Sequence, residues 1–194
     1  MGLTIRQTEI LDSAARLIAE GGMQRFTLRR VAAELGVTEP AIYRHFSSKH
    51  EILKAMLQRF SEGSLTGLLD VQSRSADILA SLQQFLANLF SSLKLRPEMS
   101  ALLFAEGMFR YDDKLADVVL RRMKKTQHRL TALLARGQQL GQIRSDVEAE
   151  NLALVVQGTT RLLVNKWHLS GQESDISKDG LALADSLSKL LARS

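Results

Sequence analysis

Thr38, Tyr43, Arg44, His45 and Lys49 set out two hydroxyls, a guanidinium, an imidazole and an ammonium within one short stretch of chain. Such donors bond phosphate oxygens, and an arginine can also grip the edge of a guanine. Glu39 is the acid among them. Its charge repels phosphate unless it accepts from a cytosine amino group. Upstream, Thr27, Arg29 and Arg30 add a hydroxyl and two cations. The set reads as a surface for DNA backbone and bases. Two second readings stay open: Tyr43 as a half-buried packing residue, and Arg29 and Arg30 as solvated charges.

Catalytic chemistry finds no matching pattern. The histidines, His45, His50, His128 and His168, fall in no HExxH arrangement, and His45 has no second ligand at metal spacing. There is no nucleophile elbow, no GxxxxGK[ST] loop and no GxGxxG run. Without cysteine, disulfides, zinc–cysteine sites and thiol catalysis are excluded. We expect a protein that is not an enzyme and uses neither metal nor cofactor.

The donors need elements to hold them. Apolar residues recur every three or four positions almost throughout, which predicts an all-α chain of about nine helices. The first runs from Ile5 to Glu20, with Thr4 and Gln7 as a capping box and Gly21-Gly22 as the stop. Thr27 caps a second helix striped by Leu28, Val31, Ala32 and Leu35. Gly36 supplies the turn. Thr38 caps a third helix ending near Phe46, with Pro40 tolerated in its first turn. Ser48 and Glu51 form a capping box for a fourth, which reaches toward Leu69. Further helices are expected at 75–94, 97–109, 113–140, 146–170 and 177–192, with Asp113 and Asp146 near helix starts. Two short helices around a glycine turn make a helix-turn-helix. Val37, Ile42 and Phe46 pack back on Leu28, Val31 and Leu35, while Ile10, Leu11 and Leu17 complete a three-helix core. The third helix then stands outward as a recognition helix.

The run Leu28-x-x-Val31-Ala32-x-x-Leu35-Gly36-Val37-Thr38, followed by Ile42-Tyr43-x-His45-Phe46-x-x-Lys49-x-x-Ile52-Leu53, resembles the TetR/AcrR regulator signature. The resemblance covers roughly residues 5–53. It implies that Thr27 and Thr38 cap their helices and contact phosphate. It places Glu39, Pro40, Ala41 and Arg44 toward the major groove, and Tyr43, His45 and Lys49 on phosphates. Glu39 departs from the basic or neutral residue common there, and Pro40 from a small flexible one. It further implies a helix-turn-helix DNA-binding domain at 1–47 and an effector-binding and dimerisation domain at 48–194. The function implied is transcription regulation: a repressor released from operator DNA by a small, largely apolar effector. The alternative is a DNA-bound adaptor whose C-terminal domain binds a protein partner.

The rest of the chain fits those roles. The segment 146–170 is apolar on more than one face, so it needs more than one partner. Leu152, Val155, Gly158, Leu162, Leu183, Leu187 and Leu190 are candidate contacts of a homodimer built, as the resemblance implies, as a four-helix bundle of the last two helices. The other reading puts them in the monomer core. Phe60, Phe85, Leu86, Leu89, Leu103, Phe104, Met108, Phe109 and Met123 are candidate pocket walls, and Gln127, Gln157 and Arg161 candidate polar anchors. Ordinary core packing is again the other reading for the apolar set.

Composition agrees with a globular chain of 194 residues, 45% hydrophobic and 24% charged. Net charge is +5, and residues 1–60 hold nine Lys/Arg against six Asp/Glu, so the basic excess per residue is greatest near the DNA-contacting segment. The start is not that of a signal peptide, and no apolar run is long enough to span a membrane. A cytoplasmic location without membrane contact is the expectation.

Overall fold

Over most of the described chain the helical periodicity becomes helix. The structure is a computed structural model that describes residues 2–59, 77–97, 100 and 113–193. Its helices are α1 (Ile5–Arg25), α2 (Leu28–Glu34), α3 (Glu39–Tyr43), α4 (49–59), α5 (Ile78–Leu95), α6 (Asp113–Gln139), α7 (Ala149–Leu169) and α8 (Ile176–Leu191). Among the described residues there is no strand, only an isolated antiparallel bridge between Ile143 and Ala192. The helix expected at 97–109 and the extension of the fourth to Leu69 lie outside the described residues. Among the described residues, no helix is long and apolar enough to cross a membrane.

The chain forms two compact units, Met1–Ser61 with Pro97–Leu120, and Glu62–Arg96 with Arg121–Ser194. In the first, α1 starts at the Thr4–Gln7 capping box, where Gln7 N donates to Thr4 Oγ1 (3.2 Å) and Thr4 N to Gln7 Oε1 (3.0 Å). Gly21 and Gly22 leave helical geometry, as expected of a stop, and a last short turn follows to Arg25. Ile10, Leu11, Val31, Ile42 and Ile52 are buried together with Phe26. The helix 49–59 and Leu115 and Val119 of α6 pack into this same core.

In the second unit, α5 and α8 lie against each other. Gly180 makes this possible, because a Cβ there would run into the Phe90 ring. Gly180→Ala is therefore expected to cost about 1–3 kcal/mol by overpacking, read as a lowered Tm. An unchanged melting curve would show that the ring yields freely. Trp167 is buried and donates Nε1–H to the carbonyl of Ser174 (2.9 Å), so its polar edge is satisfied where α7 ends. Asp175 caps α8 by accepting from Ser177 N (3.0 Å) and also holds Lys94 of α5 (2.7 Å). That lysine, with the cap, keeps the Asp175 carboxyl below its usual range.

Two starts differ from expectation. The helix placed at 75 begins at Ile78 behind the Asp77 cap. The helix placed at 146 begins at Ala149. Asp146 is taken by Arg144 (2.7 and 2.6 Å), and Gln138 Nε2 holds the carbonyls of Arg144 and Val147 (2.8 Å each). Those carbonyls are committed to a side chain of α6, so the segment stays out of the helix.

Candidate nucleic-acid interface

The interface is built on a turn. Val37 N donates to the Ala32 carbonyl (2.9 Å) and Gly36 N to the Ala33 carbonyl (3.2 Å). This is a Schellman closure, and it requires a left-handed residue between its two bonds. Gly36 occupies that position at φ +64°. Gly36→Ala would force an L side chain there at roughly 1–2 kcal/mol. We expect weakened DNA binding alongside a modest fall in Tm; both unchanged would mean the turn tolerates a Cβ.

Below the turn, α2 is tied to α1 through one carboxylate. Glu34 accepts from Ser13 Oγ (2.8 Å) and Arg16 Nε (2.8 Å). Asp12 accepts from Arg59 of the helix 49–59 (2.6 Å). Gln7 serves twice: its Oε1 completes the cap of α1, and its Nε2 donates to the His45 carbonyl (3.3 Å) just beyond α3. These bonds fix where α3 points.

On that support, α3 buries Ile42 and turns its polar residues outward. Tyr43 is 50% exposed, and Thr38, Pro40 and Arg44 are exposed too. Glu39, Ala41 and His45 are half-buried. On α2, Thr27, Arg29 and Arg30 are exposed, and Thr27 Oγ1 accepts from Arg30 N (3.2 Å), as its capping role requires. Tyr43 is thus half covered by the unit and half open to solvent.

Three details differ from the sequence expectation. Thr38 sits at the N-cap position with extended backbone, yet its side chain makes no capping bond. Pro40 lacks the N–H that such a cap would take, and Ala41 N already bonds the Thr38 carbonyl (3.0 Å). The helix also ends at Tyr43 instead of Phe46. His45 N and Phe46 N both bond the Ile42 carbonyl (2.9 and 3.1 Å), and this tightened turn drops Phe46 into the core. Ser48 caps the helix 49–59 by accepting from Glu51 N (3.2 Å), while the Glu51 carboxylate pairs forward with Lys54 (3.6 Å).

Lys49 has a support that its type alone does not reveal. Its Nζ lies 4.8 Å from the centroid of the Phe26 ring. The ring face attracts the cation and orients it, while partial burial lowers its pKa. Phe26, fully buried between α1 and α2, was not singled out from the sequence. Its signal is a lone aromatic between a glycine stop and a threonine cap.

The second-unit candidates divide. Phe85 and Leu86 are buried on α5 and Leu89 half-buried. Met123 is 42% exposed. Gln127 donates Nε2 to the Glu150 carbonyl (2.8 Å), Gln157 is half-buried and Arg161 exposed. Phe60, Leu103, Phe104, Met108 and Phe109 lie outside the described residues. For the dimer set, Leu152 and Leu187 are corrected: both are buried within their own chain, since they lie on the stripes that face its core. Val155 (47% exposed), Gly158, Leu162 (66%) and Leu190 (63%) are open, and Leu183 is half-buried. Val155, Gly158, Leu162 and Leu169 form one stripe along α7, at spacings of three, four and seven. Leu181 is exposed on α8. Open leucines in such a row mark a contact surface more than scattered ones do.

Comparison with known proteins agrees with this geometry. The family model described as "Bacterial regulatory proteins, tetR family" matches residues 10–56, and the "Tetracyclin repressor-like, C-terminal domain" model matches 79–177. The nucleoid occlusion factor SlmA of Actinobacillus pleuropneumoniae is 32% identical over 112 residues, 57% of this chain and 55% of that one. The match thus spans about half the length of this curated relative. The transcriptional repressor KstR2 of Mycobacterium tuberculosis is 24% identical over 166 residues, 86% of this chain and 82% of that one. The solved structure of the ketosteroid regulator KstR2 covers 100% of this chain and 98% of its own, at TM-score 0.82 and 20% identity. That of the fatty acid degradation regulator FadR from Bacillus halodurans covers 98% and 96%, at TM-score 0.85 and 18% identity. At such identities the structures speak to fold, while the matched family models extend over both units. An outward helix-turn-helix, an all-helical second unit and these two matches lead to one assignment: the chain belongs to the TetR family of bacterial regulatory proteins.

Proposed function

We propose that this protein is a DNA-binding transcription repressor that grips operator DNA as a homodimer and is released by a small molecule held in its second unit. The observation that carries the reading is the outward face of α3: Thr38, Pro40, Tyr43 and Arg44 are exposed while Ile42 and Phe46 anchor them from behind. In functional terms residues 1–47 contact DNA, and residues 48–194 bind the effector and the second protomer. Pairing through the open stripe of α7 and the exposed leucines of α8 presents two recognition helices about 34 Å apart, one turn of DNA. An effector that favours one spacing of the two heads shifts operator affinity by the difference in its binding to the two states. The protein acts inside the cell and catalyses no reaction.

The test is footprinting on DNA flanking its own gene at two salt concentrations. Phosphate contacts release counterions, so affinity is expected to fall steeply as salt rises. A protected site with a palindromic centre and that salt slope supports the reading. No protection at low salt overturns it.

A second reading keeps the DNA contact but gives the second unit a protein partner. The likeness to a nucleoid occlusion factor favours it. The two readings part on whether any small molecule changes operator affinity, which a titration of diverse apolar compounds decides.

A further inference from the structure

Net charge is not spread evenly along the chain. Residues 113–139, the span of α6, hold seven Lys/Arg and two Asp/Glu, while the rest of the chain holds 19 of each. The whole surplus of +5 therefore sits on one helix. The surplus of three over residues 1–60 is smaller, spread over about twice the length, and offset by acids further along. Within α6 the cations crowd into the run Arg121-Arg122-Met123-Lys124-Lys125-Thr126-Gln127-His128-Arg129. Such a run on a helix is either a plain solvated face or a site for an acidic partner.

Exposure and pairing separate the two. The helix turns Leu130, Leu133 and Leu134 into the core, while Arg121, Met123, Lys124, Lys125 and His128 are exposed. Spacings of three and four join Arg121 to both lysines and both lysines to His128, so these residues form one patch. At the rise of a helix it is about 10 Å long. Arg121 and Arg129 have interactions of their own, so the free charge is that of Lys124 and Lys125. Among the described residues, neither lysine side chain meets an acid or makes a hydrogen bond. Other lysines are neutralised where they stand: Lys54 by Glu51 (3.6 Å), Lys94 by Asp175 (2.7 Å) and Lys189 by Asp185 (2.6 Å). Crowded like charges repel, and arriving carboxylates relieve that repulsion.

Met123 selects the occupant. Its side chain is 42% exposed among the lysines and offers an adaptable apolar contact. A hydrated phosphate backbone has no use for that contact. A bilayer needs an apolar helix face, and the apolar face of α6 is turned into the protein. A second copy presenting this same face sets lysine against lysine. A short acidic stretch of polypeptide with an apolar residue in it matches both features.

We propose that the exposed face of α6 from Arg121 to His128 is a docking surface for a short acidic segment of a partner protein, with carboxylates on Lys124 and Lys125 and an apolar side chain on Met123. This goes beyond the repressor reading, whose DNA contacts and effector it leaves as they are.

The test uses the full chain and a fluorescein-labelled heptapeptide, three glutamates on each side of one leucine, read by fluorescence anisotropy. One analogue replaces the glutamates with glutamine, and another replaces the leucine with alanine. The acidic leucine peptide is expected to bind at least about tenfold more tightly than its glutamine analogue, with affinity falling as salt rises. Lys124→Glu with Lys125→Glu, at exposed positions, is expected to leave Tm unchanged and to remove most of that preference. Met123→Ala is expected to weaken the leucine peptide a few-fold and the alanine peptide hardly at all. The proposal is overturned if the glutamine analogue binds as well, if neither peptide binds, if the double charge reversal spares the acidic peptide, or if Met123→Ala does not distinguish leucine from alanine. It is also overturned if the reversal weakens binding to operator-free duplex DNA or to phosphatidylserine vesicles as strongly as to the peptide, since the face then serves phosphate and not a protein. Operator footprinting is expected to be the same for wild type and the double variant. Failure of the peptide arms with intact footprinting therefore sinks this inference alone, and absent footprinting with intact peptide binding sinks only the repressor reading.

Discussion

Phe26→Ala is expected to remove operator binding even though Phe26 touches no DNA in the proposed complex. The ring is fully buried in the core of the first unit, beside Ile10, Val31 and Ile42. Deleting a buried phenyl group costs about 3–5 kcal/mol, the lost transfer energy plus the cavity left behind. That is a large share of the stability of a small domain. The same change takes away the surface under Lys49, whose ammonium lies 4.8 Å from the ring centroid. Two measurements separate the effects. Thermal melting reads the core, and Phe26→Leu is expected to recover most of it because volume is largely kept. DNA affinity of Phe26→Leu then reads the lost ring face alone, which is expected to be weaker than wild type by a few-fold, consistent with a cation–π contact of about 0.5–1 kcal/mol. Phe26→Ala retaining both wild-type Tm and wild-type footprinting would contradict the packing argument.

Arg44→Ala is the second large effect. The side chain is exposed at the end of α3 and carries a planar fork of donors suited to a guanine edge. Loss of one bidentate base contact costs about 1–3 kcal/mol. A homodimer loses it twice, so operator affinity is expected to drop by about 2–6 kcal/mol, roughly 30-fold to more than 10⁴-fold. Binding to unrelated DNA is expected to change far less, because that binding is mostly phosphate attraction. Lys49→Ala is the comparison. It is expected to weaken every sequence similarly and to flatten the salt dependence by about one ion per head. Tyr43→Phe is expected to follow Lys49, since only a phosphate donor is lost. The Lys49 contact also has a pH signature. Only the protonated amine attracts phosphate, and burial lowers its pKa. Its contribution is therefore fully present at low pH and is lost on raising pH sooner than for a surface lysine. Equal effects of Arg44→Ala and Lys49→Ala on all sequences would refute this division between base and phosphate contacts.

Much of the first unit is legible in the residues because its signals are local. Thr4 with Gln7, Thr27 and Ser48 each bond a backbone N–H three residues on. Gly36 closes a bond pattern that spans six residues. Where expectation and structure part, a more distant group intervened. Pro40 is near enough to be read, yet its effect on Thr38 depends on which N–H groups the cap needs. The late start of α7 depends on Gln138, on another helix, holding two carbonyls. Leu152 and Leu187 carry the same residue type as Leu162 and Leu190, and helical spacing alone does not say which stripe meets the core. Exposure separates them: 6% and 1% against 66% and 63%.

Helix starts, helix stops and the supply of donors between Thr38 and Lys49 follow from the order of amino acids alone, because capping and left-handed turns act across a handful of neighbouring residues. Folding in three dimensions decided the rest. It set the ring of Phe26 beneath Lys49, sent Leu152 inward while Leu162 stayed outside, and left the hydroxyls of Thr131 and Thr160 buried without partners. Each of these depends on which helix faces which, and that is fixed by packing between residues far apart along the chain.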